Sequence, residues 1–490
     1  MHSCRQIITH SDTCSPPKTR HSSRPPHVSG QEEAVRPVRQ YSRQEYIVQH
    51  CRDAQHRRRR PWRTGPWLRA SSKPAFRFAS LSATPALPFV DKVCVCEPHP
   101  QSSQHDTHPT SDLHSSCVGY RIRISADAAQ SLQRLLPPRL WTAFTATCAR
   151  LRDDGHQLDA ISGNATRWAS GPPRGAAGQS QAYNADRTVL RNLLLSGVSE
   201  HVSFGMQFKG YSAAPDRLLS VDFVHHASQQ TDLLIGADGV GSAVRRQRMP
   251  ALGLLDTEGR AVFGKTPITP GFFDRIPREL GEGLGLIGES NDSKMKLFCD
   301  TMAFDRTNGA KAAQGLGISL PSDYLYWVLV FRRDAVNNVD LDKGSYPLTP
   351  EQSAKRSQEL TAHWHPSIHG ILTEQDPSAT SSLKFHAAEP RSLMAAWKQD
   401  LSGHHAAVTL IGDAAHPMPP VGGFGANAAF QDAAALCDAL CHGDDTTSRI
   451  RSYEQDMCFR AESVVQRSIQ GSGRFFGMRS IEELQYADDH

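Results

Sequence analysis

Residues 408–440 read VTLIGDAAHPMPPVGGFGANAAFQDAAALCDAL, and the organisation of the chain follows from this stretch. Val408 to Ile411 is a short apolar run with the character of a buried strand. Gly412-Asp413 ends it in a tight turn that carries a carboxylate, and a Pro- and Gly-rich loop runs from Pro417 to Gly425. Ala429, Ala433, Leu436 and Leu440 then recur at helical spacing. Such a strand, loop and helix suit a flat, polyhydroxylated, phosphorylated ligand. Asp413 accepts hydrogen bonds from sugar-like hydroxyls, and the glycines let backbone amides approach a planar ring. The positive helix end expected after Asn427 favours negative charge there.

The chain has 490 residues, 39% hydrophobic and 21% charged, enough for a large two-lobed body with a tail. Its formal charge of +4 is unevenly spread. Residues 1–80 hold 16 Lys and Arg against 5 Asp and Glu, which leaves residues 81–490 at −7. An acidic body gives no reason to expect nucleic-acid binding. Eleven cysteines without a repeating spacing suit a reducing compartment, and no metal site is expected. No apolar run is long enough for a membrane span, and none follows Met1 as a signal peptide requires. These features predict a soluble, cytoplasmic protein with no stable membrane insertion; they leave its oligomeric state open.

Residues 1–118 are rich in Ser, Pro, His, Arg and Gln and do not read as a folded unit. The run Arg57-Arg58-Arg59-Arg60 reads as part of a solvated tail rather than a nucleic-acid patch, and Cys94 and Cys96 lack zinc spacing. Order begins at Gly119. GYRIRI alternates as a strand, Ser125 caps a helix to about Leu135, and Pro137-Pro138 starts another. Asn184 to Leu195, NADRTVLRNLLL, reads as an amphipathic helix with Arg187 and Arg191 on one face. DLLIGADGVGSAVRRQ, Asp232 to Gln247, is a buried strand, an Asp238-Gly239 turn and a basic helix start. A glycine turn and a helix N-terminus can face a pyrophosphate, with Asp238 orienting the loop by accepting backbone N–H bonds. Residues 250–404 carry no motif. Tyr324 to Phe331 reads as a strand whose Tyr324, Tyr326 and Trp327 are core, and Ile450 to Ser468 as a long closing helix.

Gly412, Asp413, Ala414, Ala415, His416, Pro419, Pro420, Gly422, Gly425, Asn427 and Asp432 resemble the second flavin fingerprint of the para-hydroxybenzoate hydroxylase-like monooxygenases. Within that family the stretch is similar to the branch of the tetracycline-inactivating enzymes and many fungal biosynthetic oxygenases. Gly236, Asp238, Gly239, Ser242 and Arg245 match its middle fingerprint, and Arg187 matches the arginine that meets the flavin's phosphate or ring region. The resemblance implies an α/β fold: a Rossmann-like FAD-binding lobe (mainly 184–247 and 405–443) interleaved with a mixed or antiparallel substrate lobe. That second lobe is mainly 119–180 and 250–404; a closing helix spans 448–470, and the monooxygenase domain covers 119–475.

It also implies an FAD-dependent monooxygenase that uses NADPH or NADH as transient reductant. A flavin hydroperoxide would insert one oxygen atom from O₂ into a small organic substrate, aromatic or polyketide. The implied cofactor-binding residues are Gly412, Asp413, Gly422, Gly425, Ala426, Asn427, Asp238, Gly239 and Arg187. His416 reads as structural, and no catalytic acid or base is assigned. A flavin dehydrogenase or halogenase and an FAD-deficient remnant are the alternatives.

The family's first GxGxxG, which receives the pyrophosphate on a helix N-terminus, should precede Gly119, and it is absent there. HRRRRPWRTGPW, His56 to Trp67, explains the gap if it is read one base later with Arg as CGN. Trp62 and Trp67 are then forced to Gly, and the remaining positions permit IVGAGPGGLALG. The hypothesis is therefore that this segment is translated out of frame, through a sequencing slip, a misplaced intron or a real frameshift. Genomic and transcript reads with no fingerprint in any frame would sink it. Val93 to Glu97, VCVCE, fits the family's second strand, with Glu97 holding the adenosine ribose.

Overall fold

Three parallel strands, Phe78–Leu81, Leu233–Gly236 and Val408–Leu410, stand side by side in that order. Residues 233–236 and 408–410 are all buried, as both apolar runs require. In this computed structural model the described residues are 78–81 and 93–94 (backbone alone), 120–152, 155–167, 181–215, 218–290, 294–335, 347–399, 408–441 and 446–487. Sequence reading misses the strand 78–81. Four residues, FASL, are too few to show a period, and its partners lie some 150 residues downstream. Val93–Cys94 pairs in parallel with Val202–Ser203. Glu97, Arg57–Arg60 and Gly119 lie outside the described residues.

The second lobe is an eight-stranded mixed sheet. Its order runs 381–388, 254–267, 324–332, 295–302, 284–288, 155–159, 165–167, with Gln485–Tyr486 added beside 254–267. Pairing is antiparallel except between 284–288 and 155–159. Tyr324 to Phe331 are all buried because both sheet faces are covered. Trp327 packs with Trp364 and Phe331 on one face, and Tyr324 and Tyr326 pack with Phe263 and Phe385 on the other.

A two-stranded ribbon, Arg121–Ile124 against Tyr183–Asp186, lies between the lobes. It corrects the expected helix start at Asn184. Residues 183–186 are extended, and the helix Arg187–Ser196 begins only where the Asp186 carboxylate accepts the Thr188 and Val189 amides, at 2.9 and 3.1 Å. Ser125 caps the helix Ala126–Leu135 as expected. The helix of the opening stretch spans Phe424–Cys441 and so starts three residues before Asn427. Gly422 and Gly423 supply the positive φ that turns the chain into it, at 78° and 66°. The closing helix, Thr446–Phe476, packs along it.

Candidate functional site

The strands 233–236 and 408–410 are parallel, so their following loops leave the same edge of the sheet. Arg245 joins these loops. Its guanidinium donates to Val240 O at 2.6 Å, Ala414 O at 3.1 Å and Asp413 O at 3.5 Å. It is buried, so this cation fastens loop to loop. Asp238 is likewise committed to its own loop. Its carboxylate accepts the Ser242 hydroxyl at 2.5 Å and the Ala243 and Val244 amides at 2.8 and 3.2 Å. Gly239 beside it has φ +76°.

Asp413 differs from both, since its side chain is exposed at the sheet edge. Surrounding protein nevertheless raises its pKa, and the charges of His416, Arg187 and Arg245 offset part of that rise. Gly412 sets its direction. With φ +59°, a Cβ there would also lie 3.0 Å from Ala429 Cβ, so residue 412 takes no side chain without strain. A Cβ on Gly425 would sit 3.5 Å from Asp413 Oδ1, which places the helix start against the carboxylate.

Behind this edge lies a buried ionic knot. Asp432 Oδ2 accepts the Gly412 amide at 3.1 Å and meets His416 Nε2 at 2.6 Å, while Oδ1 accepts Arg460 Nη2 at 3.2 Å. Burial alone would lower the His416 pKa, but the Asp432 charge and hydrogen bond raise it, helped by Asp413. Burial would raise Asp432, and His416 with Arg460 and the Gly412 amide holds it below the ordinary value.

The side chain of Asn427 is used for architecture. Its Oδ1 accepts the Ser125 amide at 2.8 Å, and its Nδ2 donates to Arg123 O at 2.9 Å and Gly423 O at 2.6 Å. Its backbone and that of Ala426 lie in the first turn of the helix, with Ala426 packed against the ribbon's core. Gly422 precedes that turn. Arg187 stands at the first position of its helix, its guanidinium carbon 5.1 Å from the Tyr120 ring centre. The Tyr120 ring stacks in turn on Phe263 of the large sheet.

Two buried clusters between the lobes escape sequence reading. Asp186 Oδ2 accepts Lys265 Nζ and Tyr324 Oη, each at 2.8 Å. Asp300 Oδ2 lies 2.5 Å from Arg121 Nε and accepts Asn184 Nδ2 at 3.1 Å. Burial raises the Asp300 pKa against the pull of Arg121 and Arg123. The only signals for these groups were Asp186 directly before Arg187 and a lone acid in the apolar strand MKLFCDTM.

Among the described residues no group of three or more His, Cys, Asp or Glu is placed to hold a metal ion. No helix among them is long and apolar enough to cross a membrane.

A family profile described as an FAD binding domain matches residues 346–468. The chain is 32% identical to the dual O-methyltransferase/FAD-dependent monooxygenase elcB of Phaeosphaeria nodorum, over 76% of this chain and 43% of that protein. It is 29% identical to the similarly described CTB3 of Cercospora beticola, over 74% of this chain and 42% of that protein. It thus spans less than half the length of these curated relatives. The fold resembles that of Klebsiella pneumoniae HpxO complexed with FAD and uric acid: TM-score 0.58, 17% identity, 82% of this chain and 89% of that one. It also resembles the tetracycline destructase Tet(55), at TM-score 0.54 and 14% identity, over 84% and 92% of the two chains. Along residues 346–468 the chain matches the FAD binding domain family, and over about three quarters of its length it is similar to proteins described as dual O-methyltransferase/FAD-dependent monooxygenases.

Proposed function

We propose that the chain is an FAD- and NAD(P)H-dependent monooxygenase that inserts one oxygen atom from O₂ into a small organic molecule of aromatic or polyketide class. The observation that carries this reading is the exposed Asp413 carboxylate at the sheet edge, aimed by a left-handed Gly412 and abutting Gly425. FAD fits this part of the site. An acceptor meets the ribityl hydroxyls, small residues leave room for a ring, and a helix N-terminus faces negative charge. Bound FAD would supply the redox chemistry, with NADPH or NADH as the two-electron donor and O₂ as the source of the inserted oxygen and of one water.

The chain's own residues position and shield. Asp413 orients the ribityl chain, and the backbone of Gly422 to Asn427 stabilises negative charge on the ring. Arg187 adds positive charge near Asp413, and Asp238 with Gly239 shapes the loop on the phosphate side. The large sheet covers the substrate side with buried aromatic groups, which exclude water. Cysteines 148, 299, 437, 441 and 458 are all free thiols, which supports a reducing, cytoplasmic setting.

The test is the visible spectrum of the purified chain after addition of FAD, followed by NADPH and O₂ consumption. A shifted flavin band and a product heavier by one oxygen atom support the reading. A chain that takes up no flavin becomes the FAD-deficient remnant, while flavin reduction without an oxygenated product favours a dehydrogenase.

A further inference from the structure

Asp432 holds three groups from two other parts of the fold with two oxygens. Oδ2 takes the amide of Gly412 and the ring of His416, and Oδ1 takes Arg460 of the closing helix. Asp432 and His416 are both buried, at 2% and 1% exposure, whereas the neighbouring Asp413 opens to the sheet edge. The amide that Asp432 holds belongs to the residue whose left-handed backbone sends Asp413 outward. Moving that amide moves Asp413.

We propose that Asp432 is a positioning residue for FAD, acting through Gly412 and His416 to fix the aim of Asp413 without touching the cofactor. The inference rests on the FAD reading above and goes beyond it by placing part of the cofactor affinity in a buried ion pair. The charged groups around His416 are few. Asp432 comes from its facing helix, Asp413 from its own loop, and Arg460 and Tyr453 from the closing helix. Arg245 and Arg187 act on Asp413 from the two remaining elements. Two carboxylates within reach keep His416 a cation above the ordinary histidine range. A cationic His416 pulls on Asp432 and steadies the charge of Asp413. Once His416 loses its extra proton, the neutral ring still donates Nε2–H to Asp432, but the charge attraction that draws the pair together is gone.

The test compares the full chain with His416→Gln and Asp432→Asn, titrating FAD by quenching of its fluorescence from about pH 6 to about pH 9. Gln offers a neutral donor where Nε2 stood, so it keeps the hydrogen bond and removes the titration. The original chain should bind FAD less tightly as pH rises through the raised His416 pKa, and His416→Gln should show a flat profile across that range. Asp432→Asn should weaken FAD by about 10- to 100-fold, with the circular dichroism of the flavin-free chain unchanged. If Asp432→Asn does not fold, the His416→Gln profile alone decides. An original chain that binds FAD, with His416→Gln following its pH dependence or Asp432→Asn matching its affinity, overturns the inference alone. No FAD uptake by the original chain at any pH overturns the FAD reading and this inference together.

Discussion

Asn427 and Ser125, 302 residues apart in sequence, are joined by a 2.8 Å hydrogen bond from the Ser125 amide to the Asn427 side chain. The same side chain donates to Arg123 O and Gly423 O, so the start of the helix 424–441 is anchored to the ribbon between the lobes. Asn427→Ala leaves these groups without their partner. We expect a loss of about 1–3 kcal/mol in stability, read by denaturant unfolding. FAD binding should also weaken, because the helix start is no longer held.

Asp413→Asn separates binding from folding. The side chain is exposed, and the protein around it raises its pKa. An acid whose folded pKa exceeds its unfolded one destabilises the fold once it ionises. That effect is absent below the ordinary carboxylate value of 3.8 and complete above the raised value. The flavin-free Asp413→Asn chain should therefore be at least as stable as the original at neutral pH, with the difference vanishing in acid. Its FAD affinity should nonetheless fall. Thermal melts across pH, paired with FAD titration, check both halves.

Gly412→Ala tests the backbone. A methyl group at φ +59° and 3.0 Å from Ala429 costs about 1–2 kcal/mol or more. The expected result is a lower melting temperature together with weaker FAD binding. Unchanged values in both would show that the turn relaxes freely.

Asp186→Asn and Asp186→Ala divide two roles of one carboxylate. Asn retains a cap for the Thr188 and Val189 amides but loses the charge that Lys265 meets at 2.8 Å. Ala loses both and leaves a lysine with only 16% exposure without its ion pair. Breaking such a pair costs about 3–5 kcal/mol, and the lost cap adds about 1 kcal/mol. Urea midpoints should rank the original chain above Asn and Asn above Ala.

Arg245→Met removes a buried guanidinium that binds carbonyls of two loops. We expect a loss of about 2–4 kcal/mol, with FAD binding reduced in a variant that still folds. Arg246→Met on the same helix, where the side chain is exposed, should change little.

The loops around Asp413 and Asp238 were legible in sequence because their backbone needs particular residue types. Gly412, Gly422 and Gly239 adopt positive φ, and Asp238 and Asp413 stand at fixed offsets from apolar strands. Local chemistry of that kind leaves a trace in neighbouring letters. The buried ion pairs leave almost none, since Asp186 meets Lys265 and Tyr324 only after 79 and 138 residues of intervening chain. Periodicity also misjudged where two helices begin. Asp186 delays one start with its cap, and paired left-handed glycines bring the other forward to Phe424. The strand 78–81 had no period to show, and its place is set by the partner that stacks beside it.

The order of the parallel strands has a consequence for biosynthesis. Strands 78–81, 233–236 and 408–410 are neighbours in space but emerge from the ribosome far apart in time. The middle strand must wait, buried face uncovered, until the last is made, and Asp432 and Arg460 reach Gly412 later still. The large sheet can close from residues 155–388 beforehand, so that lobe is expected to fold first. Until strand 408–410 arrives, the apolar strand 233–236 is left uncovered on one side, and uncovered strands of this kind are prone to aggregate.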